Sequence, residues 1–324
     1  MTVLKDPTKY PSKMPTAIFL DSGGVINDNA QRAPQWLQYL GEFLPTTALG
    51  GTAQVWRQAN LQILKPFFSR WYDYMAQANA LAAAQAGVTE EGRVVNVSSI
   101  FERLHLLIWI LEMCTVAANQ LPELETRILP SLTEEDLFQI AKSAHLYAIH
   151  RVKADFPGAV ETIRELALSG NQDGFKMYTS SGDSSEDLEI ILKGLGVFEC
   201  FHAVYGADKV NCLKMSPLYY EKVFAQVGVR VVSRDAGTGQ VVDDGSSSSS
   251  SSSSGEDRDE VVVLDDSEKA LRWAHVHGAR TVLITDTEVD LTLEANRHID
   301  FQLKALSDLP ALLDAWRVHL EGTK

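Results

Sequence analysis

Apolar and polar positions follow two different rhythms along this chain. From Asn29 to about Lys153 the apolar residues recur at helical spacing and no stretch reads as a strand. Trp56, Ile63, Leu64, Phe67, Phe68, Trp71 and Met75 mark one such stripe within 54–86, which is expected to line the inside of a helical bundle. Ser99 with Glu102, ahead of a buried helix at 104–118, and Thr133 with Asp136 have the form of capping boxes. From about Asp155 onward, short apolar runs alternate with helical stretches. Strands are expected at 175–178, 203–205, 261–264, 281–284 and 301–303, and helices at 158–168, 184–195, 217–227, 268–277 and 307–320. Repetition of this kind predicts a parallel sheet covered on both faces, an α/β fold. The run Ala17-Ile18-Phe19-Leu20 reads as one more strand of that sheet, cut off from the others by the helical block. The expected organisation is a discontinuous core, 1–28 and 154–324, with an all-helical domain, 29–153, inserted after its first strand.

One segment fits neither rhythm. Residues 243–260 carry an unbroken serine tract, Ser246 to Ser254, between Asp243, Asp244, Glu256 and Asp257. Too little apolar surface is available there to offset the entropy of ordering, so a disordered loop is expected. It reads as a tolerated low-complexity insertion, with a phosphorylation cluster as the alternative.

Composition narrows the function classes. At 324 residues the chain is long enough for one large or two smaller cores, and its 45% hydrophobic content is that of a globular protein. A formal net charge of -14 argues against nucleic-acid or anionic-membrane partners, which need basic patches. Cys114, Cys200 and Cys212 are too few and too scattered for a disulfide framework or a zinc site, so a reducing, cytoplasmic setting is expected. The N-terminal stretch is polar and proline-rich, without the form of a secretory signal. The most apolar segment, 104–118, is interrupted by His105 and Glu112 and is too short to span a bilayer.

Four polar spots fall at the expected strand ends or just beyond them: Asp21, then Thr179-Ser180-Ser181-Gly182, then Lys214 ahead of a helix, then Asp265-Asp266-Ser267. In a parallel sheet all four open on the same edge. Their chemistries are complementary. A carboxylate can attack a phosphoryl group, further carboxylates can hold magnesium, and a hydroxyl and an ammonium can bind phosphoryl oxygens. Taken singly, each has a bland reading as a turn residue, a helix cap or a surface lysine.

Together these residues make the chain resemble the haloacid dehalogenase-like hydrolase superfamily, in its subgroup with a large helical cap after the first strand. Phe19-Leu20-Asp21-Ser22-Gly23-Gly24-Val25-Ile26-Asn27-Asp28 resembles the first motif, Thr179 the second, Lys214 with Pro217 the third, and Leu264-Asp265-Asp266-Ser267 the fourth. Phe156-Pro157-Gly158 resembles the return from cap to core. The resemblance implies a Rossmann-like core and a magnesium-dependent hydrolase of a small phosphorylated metabolite, as monomer or homodimer. It implies Asp21 as the nucleophile that becomes an aspartyl-phosphate. It further implies Thr179 and Lys214 as holders of the phosphate, Ser180 and Gly24 as substrate-binding, and Asp21, the Gly23 carbonyl, Asp265 and Asp266 around the metal.

The departure from the pattern is Gly23. Phosphatases of this superfamily carry there an aspartate that protonates the leaving group and later activates water, help worth about two to four orders of magnitude. Three readings follow: a hydrolase of weak or altered activity that acts on a phosphate ester with a good leaving group or uses an acid from the cap, a phosphonatase-like enzyme using Lys65 of the cap, or a catalytically silent relative that binds a phosphorylated ligand or a partner. The superfamily's dehalogenases also lack that aspartate, but the Asp265-Asp266 pair fits them less well.

Overall fold

The computed structural model describes residues 11–86, 95–230 and 260–323. The expected serine-rich loop lies outside the described residues, apart from Glu260. Two compact units are formed, Met1–Asp28 with Asp155–Lys324, and Asn29–Ala154.

The first unit is built on five parallel strands in the order β2-β1-β3-β4-β5. These are β1 (Ala17–Leu20), β2 (Lys176–Thr179), β3 (Val261–Asp265), β4 (Arg280–Ile284) and β5 (Phe301–Leu303). Nearly continuous apolar runs such as Val261-Val262-Val263-Leu264 suit strands buried on both faces. Alternation along the strands sends Ile18, Leu20, Met177, Val262 and Leu264 to one face. There they meet helices α6 (Ala159–Asp173), α7 (Ser185–Leu195) and α10 (Leu309–Gly322). Ala17, Phe19, Tyr178, Val261 and Val263 point to the other face, against α8 (Leu218–Val227) and α9 (Glu268–Val276).

The second unit is helical throughout its described residues, with α1 (Asn29–Phe43), α2 (Ala53–Ser69), α3 (Trp71–Ala86), α4 (Val97–Ala117) and α5 (Glu134–Ile149). Helix α4 is its hub, packing against α2, α3 and α5. Trp56, Ile63, Phe67 and Met75 of the expected stripe are buried. Phe68 is on the outer face of α2, 55% exposed. No helix of the described residues is long and apolar enough to cross a membrane.

Two local expectations change. The Thr133–Asp136 capping box forms, but Ser99 and Glu102 lie inside α4, because Asn96 caps it by accepting from the amides of Ser98 and Ser99. Residues 203–205 make only an isolated bridge, Ala203 to Tyr178, rather than a strand. The Thr179 hydroxyl takes the place of a backbone partner there, accepting from Tyr205 N at 2.8 Å and donating to Tyr205 O at 3.1 Å.

Candidate active site

Strand register decides which side chains can meet. Leu20 is paired with Thr179 on one side and Leu264 on the other. The ladder runs one bond further, from Ser180 N to Leu20 O and from Asp21 N to Leu264 O, both 3.0 Å. Asp21, Ser180 and Asp265 therefore form one row across three neighbouring strands, just past the last apolar row. Because side chains alternate, this row points to the α8 side of the sheet, away from the face used by Leu20 and Leu264.

Lys214, in the loop before α8, closes the row. Its Nζ donates to Asp21 Oδ1 at 2.9 Å, to Asp265 Oδ2 at 2.6 Å and to the Ser180 carbonyl at 2.7 Å. Burial alone would lower this ammonium's pKa, but the Asp21 and Asp265 carboxylates hold it well above its ordinary value. Burial pushes the Asp21 carboxyl up to about 7, against the pull of Lys214 and with the repulsion of Asp265 and Asp183. Three carboxylates, Asp21, Asp265 and Asp266, can bring one oxygen each within 4.8 Å of one another. One lysine does not balance them. Such an oxygen-rich, anionic set suits a hard divalent cation. Its members are not equivalent. Both oxygens of Asp265 are already engaged, Oδ1 by the Ser267 amide at 2.9 Å and Oδ2 by Lys214 and the Tyr220 hydroxyl. Among the described residues Asp21 keeps one oxygen without a hydrogen bond, and Asp266 is exposed.

The turn after β1 supports this arrangement. Ser22 O accepts from the amides of Ile26 and Asn27, and the Asn27 side chain donates to the Ser22 hydroxyl at 3.1 Å. The Gly24 amide donates to Asn27 O at 2.8 Å, so it is spent within the turn rather than free for a substrate. The other task of Gly24 is spatial: its φ is +77°, and a Cβ there would lie 2.0 Å from Asp266 Oδ2. The Gly23 carbonyl accepts no hydrogen bond among the described residues.

Thr179, expected to hold a phosphate, and Ser180 lie on opposite faces of the sheet. Thr179 projects toward the opposite face, and Tyr205 occupies its hydroxyl. Ser180 is fully buried beside Asp21, and its Oγ has no partner among the described residues. Period-two alternation makes this choice, but locating the strand's last residue to within one position is beyond a sequence pattern. Two tyrosines in the first turn of α8 add hydroxyls here. The Tyr220 hydroxyl donates to Asp265 Oδ2 at 3.3 Å, and that of Tyr219 to Ser181 O at 2.9 Å. Burial raises the pKa of both far above the usual phenol range and keeps them donors. Their only sequence signal is a pair of hydroxyl-bearing rings in the first turn of the helix that follows Lys214. Lys65 is an exposed residue of α2 in the helical unit.

A family model described as haloacid dehalogenase-like hydrolase matches residues 15–245. No curated protein matches the chain. Among solved structures, a defluorinating L-2-haloacid dehalogenase is similar, with 15% identity over 94% of this chain and 98% of that one and a TM-score of 0.52. A 2-haloacid dehalogenase from Pseudomonas syringae pv. Tomato DC3000 has 14% identity over 94% of this chain and 100% of that one, also with a TM-score of 0.52. A predicted phosphoglycolate phosphatase from Haemophilus somnus 129pt has 12% identity over 93% and 98% of the two chains, with a TM-score of 0.48. At these identities the likeness is one of fold.

Proposed function

The chain belongs to the haloacid dehalogenase-like hydrolase family, and on that premise we propose that it hydrolyses a small phosphate ester through a phosphoryl-aspartate formed on Asp21. One observation carries the reading: Lys214 ties Asp21, Asp265 and the Ser180 carbonyl to a single point, with the unpartnered Ser180 hydroxyl in the same row.

Asp21 is held by one oxygen, which leaves the other to attack phosphorus. The Lys214 ammonium and the Ser180 hydroxyl bind phosphoryl oxygens and offset charge as the bond to the leaving group breaks. Thr179 works at one remove, by fixing the 203–205 loop. Asp21, Asp266 and the Gly23 carbonyl would hold a magnesium ion, with Asp265 steering Lys214 rather than donating a free oxygen. When bound, that ion supplies neutralising charge between the carboxylates and an anionic substrate. The test is a panel of phosphate esters with magnesium, comparing the native chain with Asp21→Asn. Turnover confined to the native chain and lost on chelation is expected, and equal rates for the two refute a nucleophilic Asp21.

Gly23 favours a second reading. A halide leaves without a proton, so a carboxylate attacking a carbon–halogen bond needs no acid at that position, and two fold neighbours are named dehalogenases. Chloride release from 2-chloropropionate without magnesium, and no ester turnover, would replace the first reading with this one.

A further inference from the structure

The loop between β2 and α7 carries a carboxylate that neither the row nor the expected metal site uses. Asp183 follows Ser180 by three residues, on the sheet edge where Asp21 ends its strand. Its backbone is clamped: the Ala207 amide donates to Asp183 O at 3.1 Å. Gly206 approaches so closely that a Cβ there would lie 2.5 Å from the same oxygen. The preceding residues are held from the α8 side, Ser180 O by Lys214 and Ser181 O by Tyr219. Lys214 also flanks the loop, with its Cβ 3.9 Å from where a Cβ on Gly182 would stand. The side chain itself is lightly held, its Oδ2 being 3.5 Å from the Ser181 hydroxyl. Asp183 is half-buried, and among the described residues it has no cationic partner and no hydrogen bond to Asp21, Asp265 or Asp266. Its charge nevertheless reaches Asp21, adding to the repulsion there.

We infer that Asp183 is the proton-transfer residue of this site, the part for which Gly23 has no side chain. The inference rests on the phosphate-ester reading. In the first step an Asp21 oxygen bonds to phosphorus, the bond from phosphorus to the ester oxygen breaks, and the Asp183 carboxylic acid gives its proton to that oxygen, which leaves as an alcohol. In the second, water attacks the phosphoryl-aspartate and gives a proton to the Asp183 carboxylate. The bond from phosphorus to the Asp21 oxygen then breaks, which releases phosphate and restores both side chains. Among the described residues the Asp183 carboxylate has no ion pair, whereas both oxygens of Asp265 are taken by Lys214, Tyr220 and the Ser267 amide.

The experiment is kcat/KM with magnesium for aryl and alkyl phosphates that span good to poor leaving groups. The native chain, Asp183→Asn, Asp21→Asn and the double variant Gly23→Asp with Asp183→Asn are compared. Asp183→Asn should keep the native unfolding midpoint, which shows that it folds, and lose about 10²–10⁴-fold in kcat/KM on alkyl phosphates but far less on p-nitrophenyl phosphate, whose leaving group needs no proton. The double variant should recover part of that loss. An Asp183→Asn that follows the native chain across the whole series overturns the inference alone, as does one that loses equally on every ester. A native chain that turns over no ester, or an active Asp21→Asn, overturns the underlying reading and the inference with it.

Discussion

The two units bury their polar atoms in different ways. In the helical unit the buried polar residues among those described are Asn60 and Ser98, and its charges pair near the surface, as Arg70 does with Glu112. In the sheet unit, Asp21, Ser22, Asn27, Thr179, Ser180, Ser181 and Asp265 are all buried, most of them at one strand edge. Burying charge is costly unless each group finds a partner, and a site with more carboxylates than ammonium groups bears that cost for a reason other than stability. The contrast separates a unit organised by packing from one that gives up some packing energy to hold polar and charged groups at a strand edge.

Removing Lys214, the cation that closes the row, should break the contrast most strongly. Lys214→Met leaves Asp21 and Asp265 buried without a counter-charge. It should abolish turnover and cost about 3–5 kcal/mol in urea unfolding, the usual penalty for orphaning a buried ion. A loss under about 1 kcal/mol would mean that the two aspartates are neutral or hydrated.

A pH series sharpens the same point. Because the folded Asp21 carboxyl sits near 7, above its unfolded value, the folded state holds a proton that the unfolded state releases. Its contribution is therefore full below about pH 4 and fades as pH rises toward 7, by at most about 4 kcal/mol. Asp21→Asn should flatten the fall in unfolding midpoint over that window in magnesium-free buffer. An unchanged slope would assign the fall to other groups.

The smallest expected effect lies in the helical unit. Asn60 Oδ1 accepts from the Trp109 indole at 2.9 Å, and both residues are buried. Asn60→Ala orphans that donor and should cost about 1–3 kcal/mol. The leaving-group dependence of the sheet unit's reaction should stay native. A changed dependence would show that the helical unit takes part in the proton transfer.

How much of this was legible beforehand depended on what kind of signal each residue sends. Asp21, Asp265 and Asp266 stand at the ends of apolar runs, so their places at strand ends could be read from period and residue type, and Lys214 was marked by its place ahead of a helix. Choosing Ser180 over Thr179 required strand register to a single residue, because a shift of one turns the side chain to the other face. Residues 203–205 have the apolar texture of a strand, but a threonine hydroxyl outcompetes the ladder there, and such side-chain bonds leave no periodic trace. Asn96 and Ser99 are both good caps, and only the observed helix start separates them. Tyr219 and Tyr220 fit an amphipathic helix equally well as rings; where their hydroxyls point depends on tertiary structure.

Gly24 has a consequence for how this chain can vary. Its left-handed backbone and the Asp266 carboxylate packed on its α-carbon leave no room for any side chain, even a methyl group. Gly23 is not among the glycines with positive φ, so its backbone sets no such bar. Adjacent glycines thus differ in mutability: a library randomised at 24 should return only the parent residue, while one randomised at 23 explores new chemistry beside an unchanged turn. On the phosphate-ester reading, selection for faster hydrolysis can act at 23, immediately before a position that is closed to it.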